Sequence, residues 1–280
     1  QSAEADFVAS VSEPLAAVST AGAAAPPAGA SPAGAATAGS PQNWGAGGGE
    51  AGGVIRALWR VGLRWRYRLF QRHRYDRLTL EHVAGLPILV LPGVFNPKLL
   101  RTGEFLVAAL NDGLLPPGAR VLDLGAGSGV GAVAAACRGA ARVVATDTNP
   151  AAVRCAGLNA LLNDVAGRVA VREGDLFTPV GGERFDVVLF NPPYYRGTPR
   201  DDLDRAWRSP DVLERFAAGL ADHLAPGGHA LVVLSTDGEA PAFLRACVAR
   251  GLAVDAVARR DLVNEVLTVY RLKSGVGSRE

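Results

Sequence analysis

Apolar and polar residues alternate in blocks from residue 78 onward, with short β-rich runs separated by stretches of helical character. The pattern predicts strands at 119–124, 141–147, 168–175, 184–191 and 229–234. It predicts helices near 101–112, 129–138 and 240–251, one helix opened by Asn149 and Pro150, and another opened by Ser209, Pro210 and Asp211. Strands that alternate with helices favour an α/β fold, in which a mostly parallel sheet is covered by helices on both faces.

The two ends of this pattern differ from its middle. The last two strands, at 252–259 and 265–273, are joined by too few residues for a crossover helix. They are expected to form an antiparallel hairpin at one edge of the sheet. The run PILVLPGVF at 87–95 is apolar and extended, and its prolines suit an edge or a loop rather than a central strand.

The first 53 residues consist mainly of Ala, Gly, Ser and Pro, with no apolar period that a helix or sheet could bury. Such a segment cannot offset its ordering entropy, so we expect a flexible tail. It lacks the hydrophobicity of a membrane span and the basic start of a signal peptide. We divide the chain into this tail (1–53), a basic aromatic N-terminal helix or cap (54–84) and a main domain (85–280).

Residues 54–77 carry eight arginines and one acid, Asp76, with Trp59, Trp65, Tyr67 and Phe70 between them. A cationic helix of this kind could contact RNA, the ribosome or anionic lipid. The alternative is a helix that caps the domain, packing its aromatic side chains inward and solvating its arginines. Both interpretations stay open.

Overall charge and cysteine usage exclude several classes of protein. The formal charge is +2, from 29 Lys and Arg against 27 Asp and Glu, and this balance does not indicate a polyanionic partner. Cys137, Cys155 and Cys247 lie far apart without a CxxC pair, which disfavours both a disulfide framework and a cysteine zinc site. The four histidines show no ligand spacing. We therefore expect a cytoplasmic protein without a metal site.

The first candidate site is the turn after the strand at 119–124. The sequence VLDLGAGSGVG places Asp123 at the strand end and Gly125, Gly127 and Gly129 in the turn before a helix. Glycines let the backbone approach a ligand closely, at the edge where such sheets bind cofactors. The dinucleotide motif G-x-G-x-x-G would need a glycine at Val130, so the pattern indicates a nucleoside cofactor without specifying NAD.

Two further strand ends carry acids. Asp147 ends the second strand, where a carboxylate can accept hydrogen bonds from both ribose hydroxyls of NAD or S-adenosylmethionine. Asp175 follows the third strand, with Leu176 next to it, and is placed to meet an adenine amino group. Three carboxylates at three successive strand ends favour a nucleoside site over solvated surface acids.

The fourth strand ends in FNPPYY, with Asn191, Pro192, Pro193, Tyr194 and Tyr195. The prolines stiffen the turn and fix the direction of the preceding carbonyl. An amide side chain and a rigid backbone carbonyl can then both accept hydrogen bonds from one planar NH₂ group while an aromatic ring stacks on it. This arrangement suits N-methylation of a weak nucleophile.

With these residues, the chain resembles the class I S-adenosylmethionine-dependent methyltransferases that bear the NPPY motif, over about residues 87–273. Within that branch it is similar to the HemK-type release-factor glutamine methyltransferases, in their short form. Supporting segments are VFNPKLLRTGEFLVAAL, LDRAW and RRDLVNEVLTVYRLKS. The resemblance implies a Rossmann-like seven-stranded sheet, S-adenosylmethionine as cofactor and a release factor as protein substrate.

The resemblance also implies roles for individual residues. Asp123 and the three glycines would line the methionine and adenosine parts of the cofactor, Asp147 would bind ribose, and Asp175 with Leu176 would hold adenine. Asn191 and the Pro192 carbonyl would grip the nitrogen to be methylated, Tyr194 would pack on the substrate plane, and Pro193 and Tyr195 would complete the substrate site. Thr102 and Glu104 would help to cover the cofactor.

The acceptor is left open between three classes. The opening LPGVF is also similar to ribosomal-RNA guanine-N2 methyltransferases, and the basic segment 54–77 fits an RNA or DNA base as acceptor. A small-molecule amine is a third acceptor class, and a scaffold that binds the cofactor without catalysis is a non-enzymatic alternative. Short HemK-type proteins of archaea and eukaryotes require a zinc-binding activator subunit, and the sequence does not indicate whether this chain does.

Overall fold

The computed structural model of the protein describes residues 77–111, 113–201, 203–236, 238–262 and 265–274. The predictions made for the tail at 1–53 and for the arginine-rich stretch up to residue 76 lie outside the described residues.

A seven-stranded sheet forms the centre of the described part of the chain. Its members, in chain order, are β3 (Arg120–Leu124), β4 (Arg142–Asp147), β5 (Val169–Glu173), β6 (Phe185–Phe190), β9 (Leu224–Ser235), β10 (Leu252–Leu262) and β11 (Glu265–Ser274). The remaining strands of the described ranges, β1 (Thr79–Val83), β2 (Leu86–Val90), β7 (Tyr195–Arg196) and β8 (Arg208–Ser209), form two small separate sheets. Their spatial order is β10-β11-β9-β6-β3-β4-β5. The strands from β9 to β5 pair in parallel, whereas β11 pairs antiparallel with both β9 and β10. The predicted mostly parallel sheet with an antiparallel edge hairpin is confirmed.

Helices cover both faces of the sheet, as predicted. They are α1 (Pro97–Leu100), α2 (Thr102–Ala109), α3 (Val130–Cys137), α4 (Pro150–Leu162), α5 (Val212–His223) and α6 (Ala240–Ala249). One hydrophobic core unites α2, α3 and α4 with one sheet face, and a second core unites α5 and α6 with the other. Successive residues of β3 enter opposite cores, Val121 the first and Leu122 the second, because side chains of a strand alternate in direction.

Helix α4 begins as its sequence predicts. The Asn149 side chain accepts a hydrogen bond from the backbone N–H of Ala151 at 2.9 Å, and Pro150 occupies the first turn. Proline is tolerated there because its missing N–H would have had no partner inside the helix. At α5, the N-cap residue Asp211 makes no capping hydrogen bond with its side chain, and the Ser209 hydroxyl instead accepts from the N–H of Val212 at 3.2 Å.

Some strand bounds differ from the prediction. Strand β9 begins at Leu224 rather than at residue 229, because Leu224 already pairs with Phe185 before the register shifts. Strand β10 continues to Leu262, beyond the predicted 259.

An N-terminal hairpin precedes the sheet and was not predicted. Strands β1 (Thr79–Val83) and β2 (Leu86–Val90) pair antiparallel around a two-residue turn in which Ala84 and Gly85 have φ values of 51° and 83°. Positive φ at both positions is what a tight hairpin turn requires, although Ala-Gly is not its usual sequence. The hairpin straddles the boundary that the sequence suggested between residues 84 and 85, and Thr79–Val83 is a strand rather than a helix.

A buried asparagine attaches this hairpin to helix α4. The Asn159 side chain accepts from the N–H of Leu89 at 2.7 Å and donates to its carbonyl at 2.7 Å, as another strand would. Asn159 also donates to the carbonyl of Ser128 in the glycine turn at 2.8 Å. One side chain therefore fixes the hairpin and the glycine turn relative to each other.

Within the described ranges, no helix combines the length and apolar character needed to cross a membrane.

Candidate active site

A cleft of about 480 Å³ lies at the carboxyl ends of strands β3, β4 and β6. Its volume falls in the range of about 300–1,000 Å³ that is usual for small-molecule sites. Most of the predicted site residues line it, namely Asp123, Gly125, Gly127, Asp147, Asp175, Leu176, Asn191, Pro192, Pro193 and Tyr194. The parallel sheet brings these side chains together because the strands all end at the same edge.

The glycine turn after β3 is shaped by left-handed backbone conformations. Gly125 and Gly127 have φ values of 62° and 55°, which L-residues rarely adopt. The N–H of Gly127 donates to Oδ2 of Asp147 at 2.8 Å. The acid at the end of β4 thus fixes the backbone of the turn at the end of β3.

Both carboxylate oxygens of Asp147 already accept a backbone hydrogen bond, since Oδ1 accepts from the N–H of Asn149 at 2.9 Å. Burial raises the pKa of Asp147, and hydrogen bonds from Asn149, Gly127 and Thr148 act against this rise. Each oxygen retains lone-pair capacity for a ligand hydroxyl, because an ionised carboxylate offers about four acceptor positions. The arrangement suits a diol such as a ribose.

Asp123 is the most enclosed acid of the cleft, with 5% of its surface exposed. Its Oδ2 accepts from the N–H of Ala132 in the first turn of α3 at 2.7 Å. Burial raises the pKa of Asp123 to about 7; the Ala132 hydrogen bond opposes this rise, and the negative charge of Asp147 adds to it. A cationic ligand group beside Asp123 would favour the ionised carboxylate.

Gly131 makes room for this carboxylate. A Cβ at position 131 would lie 2.7 Å from Oδ2 of Asp123, closer than real contacts allow. The predicted motif did not include Gly131, although VLDLGAGSGVG places it two residues after Gly129.

Asp175 has a partner that the sequence did not reveal. Its Oδ2 lies 2.5 Å from Nη1 of Arg215 on α5, and Nε of the same guanidinium lies 3.0 Å from Asp211. About half of the Asp175 side chain and of the Arg215 side chain is exposed. Arg215 therefore lies at the mouth of the cleft where Asp175 and Leu176 were predicted to hold an adenine ring.

Asn191 lies in the cleft between two hydroxyl-bearing side chains. Its Oδ1 accepts from the Tyr194 hydroxyl at 2.7 Å, and its Nδ2 donates to Oγ1 of Thr102 at 3.3 Å. Thr102 is the first residue of α2 and is 3% exposed. Burial raises the pKa of Tyr194, so its hydroxyl stays protonated and acts as a hydrogen-bond donor at neutral pH.

Four predicted positions do not line the cleft. Gly129 lies behind the turn, where a Cβ would be 2.7 Å from Cβ of Ala156, so its role in the structure is to admit helix α4. Tyr195 is 43% exposed, with the Arg208 guanidinium 5.8 Å from its ring. Glu104 pairs with Lys98 at 2.8 Å on the surface, and Thr102 contacts Asn191 from outside the cleft lining.

The segment after the NPPY turn forms one wall of the cleft. Tyr195–Arg196 (β7) and Arg208–Ser209 (β8) pair as a short parallel ladder. Between them Trp207 packs against Phe95, with ring centroids 5.5 Å apart. Phe95 belongs to the loop before α1 and also faces Gly127, so two segments far apart in sequence meet beside the glycine turn.

Arg196 holds this wall in place. Its guanidinium pairs with Glu239 at 3.0 Å and with Glu214, and donates to the carbonyl of Pro210 at 2.9 Å. Glu239 lies just before α6, Glu214 lies in α5 and Pro210 lies just before α5.

Within the described ranges, no group of three His, Cys, Asp or Glu side chains is arranged to hold a metal ion.

Comparison with known proteins gives one family and several relatives. The family model of the methyltransferase small domain matches residues 85–259. A protein of Methanocaldococcus jannaschii that carries the name of a protein N5-glutamine methyltransferase is 32% identical over 162 residues, which are 55% of this chain and 78% of that protein. The release factor glutamine methyltransferase of Xylella fastidiosa is 40% identical over 122 residues, which are 39% of this chain and 44% of that protein.

A solved structure shares the fold. The 16S rRNA N2 G1207 methyltransferase of T. thermophilus, in complex with AdoMet and guanosine, superposes with a TM-score of 0.52 at 24% identity. The match covers 71% of this chain and 50% of that one. At this identity the likeness concerns the fold. The chain spans less than half of the Xylella relative.

Proposed function

We propose that this chain, which belongs to the methyltransferase small domain family and is an S-adenosylmethionine-dependent methyltransferase, methylates the side-chain amide nitrogen of a glutamine in a protein. The proposed substrate is a release factor. The proposal rests on the position of Asn191, followed by Pro192 and Pro193, in the same cleft as the acids Asp123 and Asp147. The identity to a protein named as an N5-glutamine methyltransferase supports it.

The residues of the cleft fit S-adenosylmethionine. The cofactor carries positive charge on its sulfonium and amino groups, and the cleft is lined by two carboxylates, the buried Asp123 and the partly buried Asp147. The left-handed turn at Gly125 and Gly127 leaves backbone surface free of Cβ atoms. Asp147 would hold the ribose hydroxyls, and Asp123 would lie beside the positively charged part of the cofactor. Leu176 and Asp175 would hold the adenine.

The acceptor side is built for a planar NH₂ group. Oδ1 of Asn191 uses one lone pair for the Tyr194 hydroxyl and has a second lone pair for an N–H of the substrate. We propose that the Pro192 carbonyl accepts the other N–H and that the Tyr194 ring packs on the amide plane. A glutamine side chain held in this way keeps the nitrogen lone pair perpendicular to the two hydrogen bonds.

Positioning is the main task of these residues. When bound, S-adenosylmethionine supplies a sulfonium methyl group, an electrophile that needs no further activation. Tyr194 is not suited to be a base, because its raised pKa keeps it protonated. Holding two reactants in line can contribute about 7–11 kcal/mol to lowering a barrier, which is enough to activate a weak amide nucleophile.

One experiment tests the acceptor class. The chain is incubated with radiolabelled S-adenosylmethionine and a cell lysate, and the labelled material is divided between protease and nuclease. We expect protease to remove the label, and mass spectrometry of a labelled peptide to place one methyl group on a glutamine side chain. The variant Asn191→Ala is the control and should transfer about 100- to 1,000-fold less label. Loss of the label to nuclease would contradict the proposal.

The second candidate is methylation of an RNA or DNA base. The arginine-rich stretch 54–77, with its interleaved aromatics, favours it. Such an enzyme would bind nucleic acid with an affinity that falls steeply with salt, because each phosphate contact releases counterions. Binding to RNA measured at several salt concentrations, with the chain from residue 78 as control, distinguishes the two candidates.

For both candidate functions, we propose that the protein is located in the cytoplasm.

A further inference from the structure

The hydroxyl groups of Thr102 and Tyr194 enclose the Asn191 amide from both sides. Nδ2 of Asn191 donates to Oγ1 of Thr102 at 3.3 Å, and the Tyr194 hydroxyl donates to Oδ1 of Asn191 at 2.7 Å. Both ends of the amide are therefore hydrogen-bonded to a side-chain hydroxyl.

These two hydrogen bonds join two parts of the fold. Asn191 and Tyr194 belong to the turn after β6, and Thr102 is the first residue of α2, 89 positions before Asn191. Thr102 is 3% exposed and has little freedom to move. An amide side chain without such partners can rotate about its last bond, which would replace the acceptor oxygen with the NH₂ group.

We propose that Thr102 is a positioning residue for methyl transfer, which holds the Asn191 amide so that its second oxygen lone pair faces the incoming nitrogen. This inference rests on the proposed function of Asn191. Thr102 does not line the cleft and acts through Asn191, so its loss affects the alignment of the acceptor and not the binding of the cofactor.

The test compares variants that differ in one hydroxyl. Thr102→Val keeps the shape and removes the hydrogen bonds, whereas Thr102→Ser keeps the hydroxyl. We expect Thr102→Val to lower kcat by about 10- to 100-fold, as misalignment of reactants does. Calorimetric Kd for S-adenosylmethionine should change by less than about twofold, and Thr102→Ser should recover most of kcat. If Thr102→Val fails to fold, Thr102→Ala takes its place, because it puts no methyl group against the amide. Thr102→Ala should then show the loss of kcat expected for Thr102→Val.

A double variant tests whether the two hydroxyls act together on Asn191. In a Tyr194→Phe background the Asn191 amide has already lost one of its two side-chain hydrogen bonds, so the cost in kcat of Thr102→Val should differ from its cost in the unchanged enzyme. Equal costs in the two backgrounds, an unchanged kcat for Thr102→Val, or a weakened cofactor affinity in that variant would each overturn the inference.

The role of Thr102 can be tested even if the methyl acceptor is not a release factor. If the unchanged enzyme does not methylate a release factor, the proposed substrate fails. The variants are then compared on the acceptor that carries the label in the lysate, since an Asn191 amide held in this way would align any planar NH₂ group. Loss of kcat with unchanged cofactor Kd on that acceptor supports Thr102 as a positioning residue, and unchanged kcat contradicts it.

Discussion

The carboxylate of Asp147 accepts a hydrogen bond from the backbone N–H of Gly127 at 2.8 Å. Asp147 ends β4 and Gly127 lies in the turn after β3, so one side chain connects two neighbouring strand ends. The bond holds the glycine turn in its left-handed conformation while the remaining lone pairs of the carboxylate stay available to a ligand. Asp147 therefore has a structural and a binding role in the same cleft.

Asp147→Ala is expected to weaken S-adenosylmethionine binding by about 10- to 100-fold, the size expected for losing hydrogen bonds to a charged group. Asp147→Asn is the matched control: its amide oxygen can still accept from Gly127, although its NH₂ group cannot accept from Asn149, and it should lose less affinity than Asp147→Ala. Calorimetric titration measures both. Equal affinity in the unchanged enzyme and in Asp147→Ala would exclude Asp147 from the cofactor site.

Asn191→Ala is expected to lower methyl transfer by about 100- to 1,000-fold, as removal of one transition-state hydrogen-bonding group does in other enzymes. Cofactor affinity should largely survive, because Asp123 and Asp147 are untouched. Transfer is measured with labelled cofactor and affinity by calorimetry on the same preparation. The division of labour would be contradicted if Asn191→Ala and Asp147→Ala lost cofactor affinity equally.

The stability of the cofactor-free protein should fall as pH rises through about 7, because burial raises the pKa of Asp123 to about 7 from 3.8. The folded protein holds this proton more tightly than the unfolded chain, so the stabilisation is complete below about pH 4 and is lost between about pH 4 and 7. Asp123→Asn keeps the acceptor for Ala132 and has no such proton.

Urea unfolding of both proteins at pH 5 and pH 8 tests this. We expect the free energy of unfolding of the unchanged protein to fall, relative to that of Asp123→Asn, by up to about 4 kcal/mol between about pH 4 and pH 7. Most of this change should lie between the two measured pH values. Parallel behaviour of the two proteins would show that Asp123 does not titrate there.

Gly129→Ala is expected to destabilise the protein by about 2 to 5 kcal/mol, from a left-handed backbone conformation and from overpacking against helix α4. Gly129 has φ 79°, and its Cβ would lie 2.8 Å from the backbone Cα of Ala156. Gly139→Ala is the control, since Gly139 has φ 96° and its Cβ would meet nothing within 4 Å. Urea unfolding should show a larger loss for Gly129→Ala, and equal losses would disprove the packing role.

Sequence patterns predicted the local features well. Continuous strand runs and the Asn149-Pro150 start signal gave the sheet, its parallel core and the beginning of helix α4. They failed where a local cue was ambiguous. Ala84-Gly85 does not have the usual composition of a tight turn, so the hairpin of β1 and β2 was missed, and the proline and glycines after Leu224 concealed the start of β9.

By itself, the sequence determined which strand ends carry acids, where the glycine turn lies and that Asn191 follows β6, because these properties depend on neighbouring residues. Only the tertiary structure decided that Gly129 faces helix α4, that Arg215 pairs with Asp175 and that Thr102 holds Asn191. The last two contacts join residues 40 and 89 positions apart. Contacts of that kind are set by how whole helices and strands pack, and no local pattern of residues records which side chains then meet.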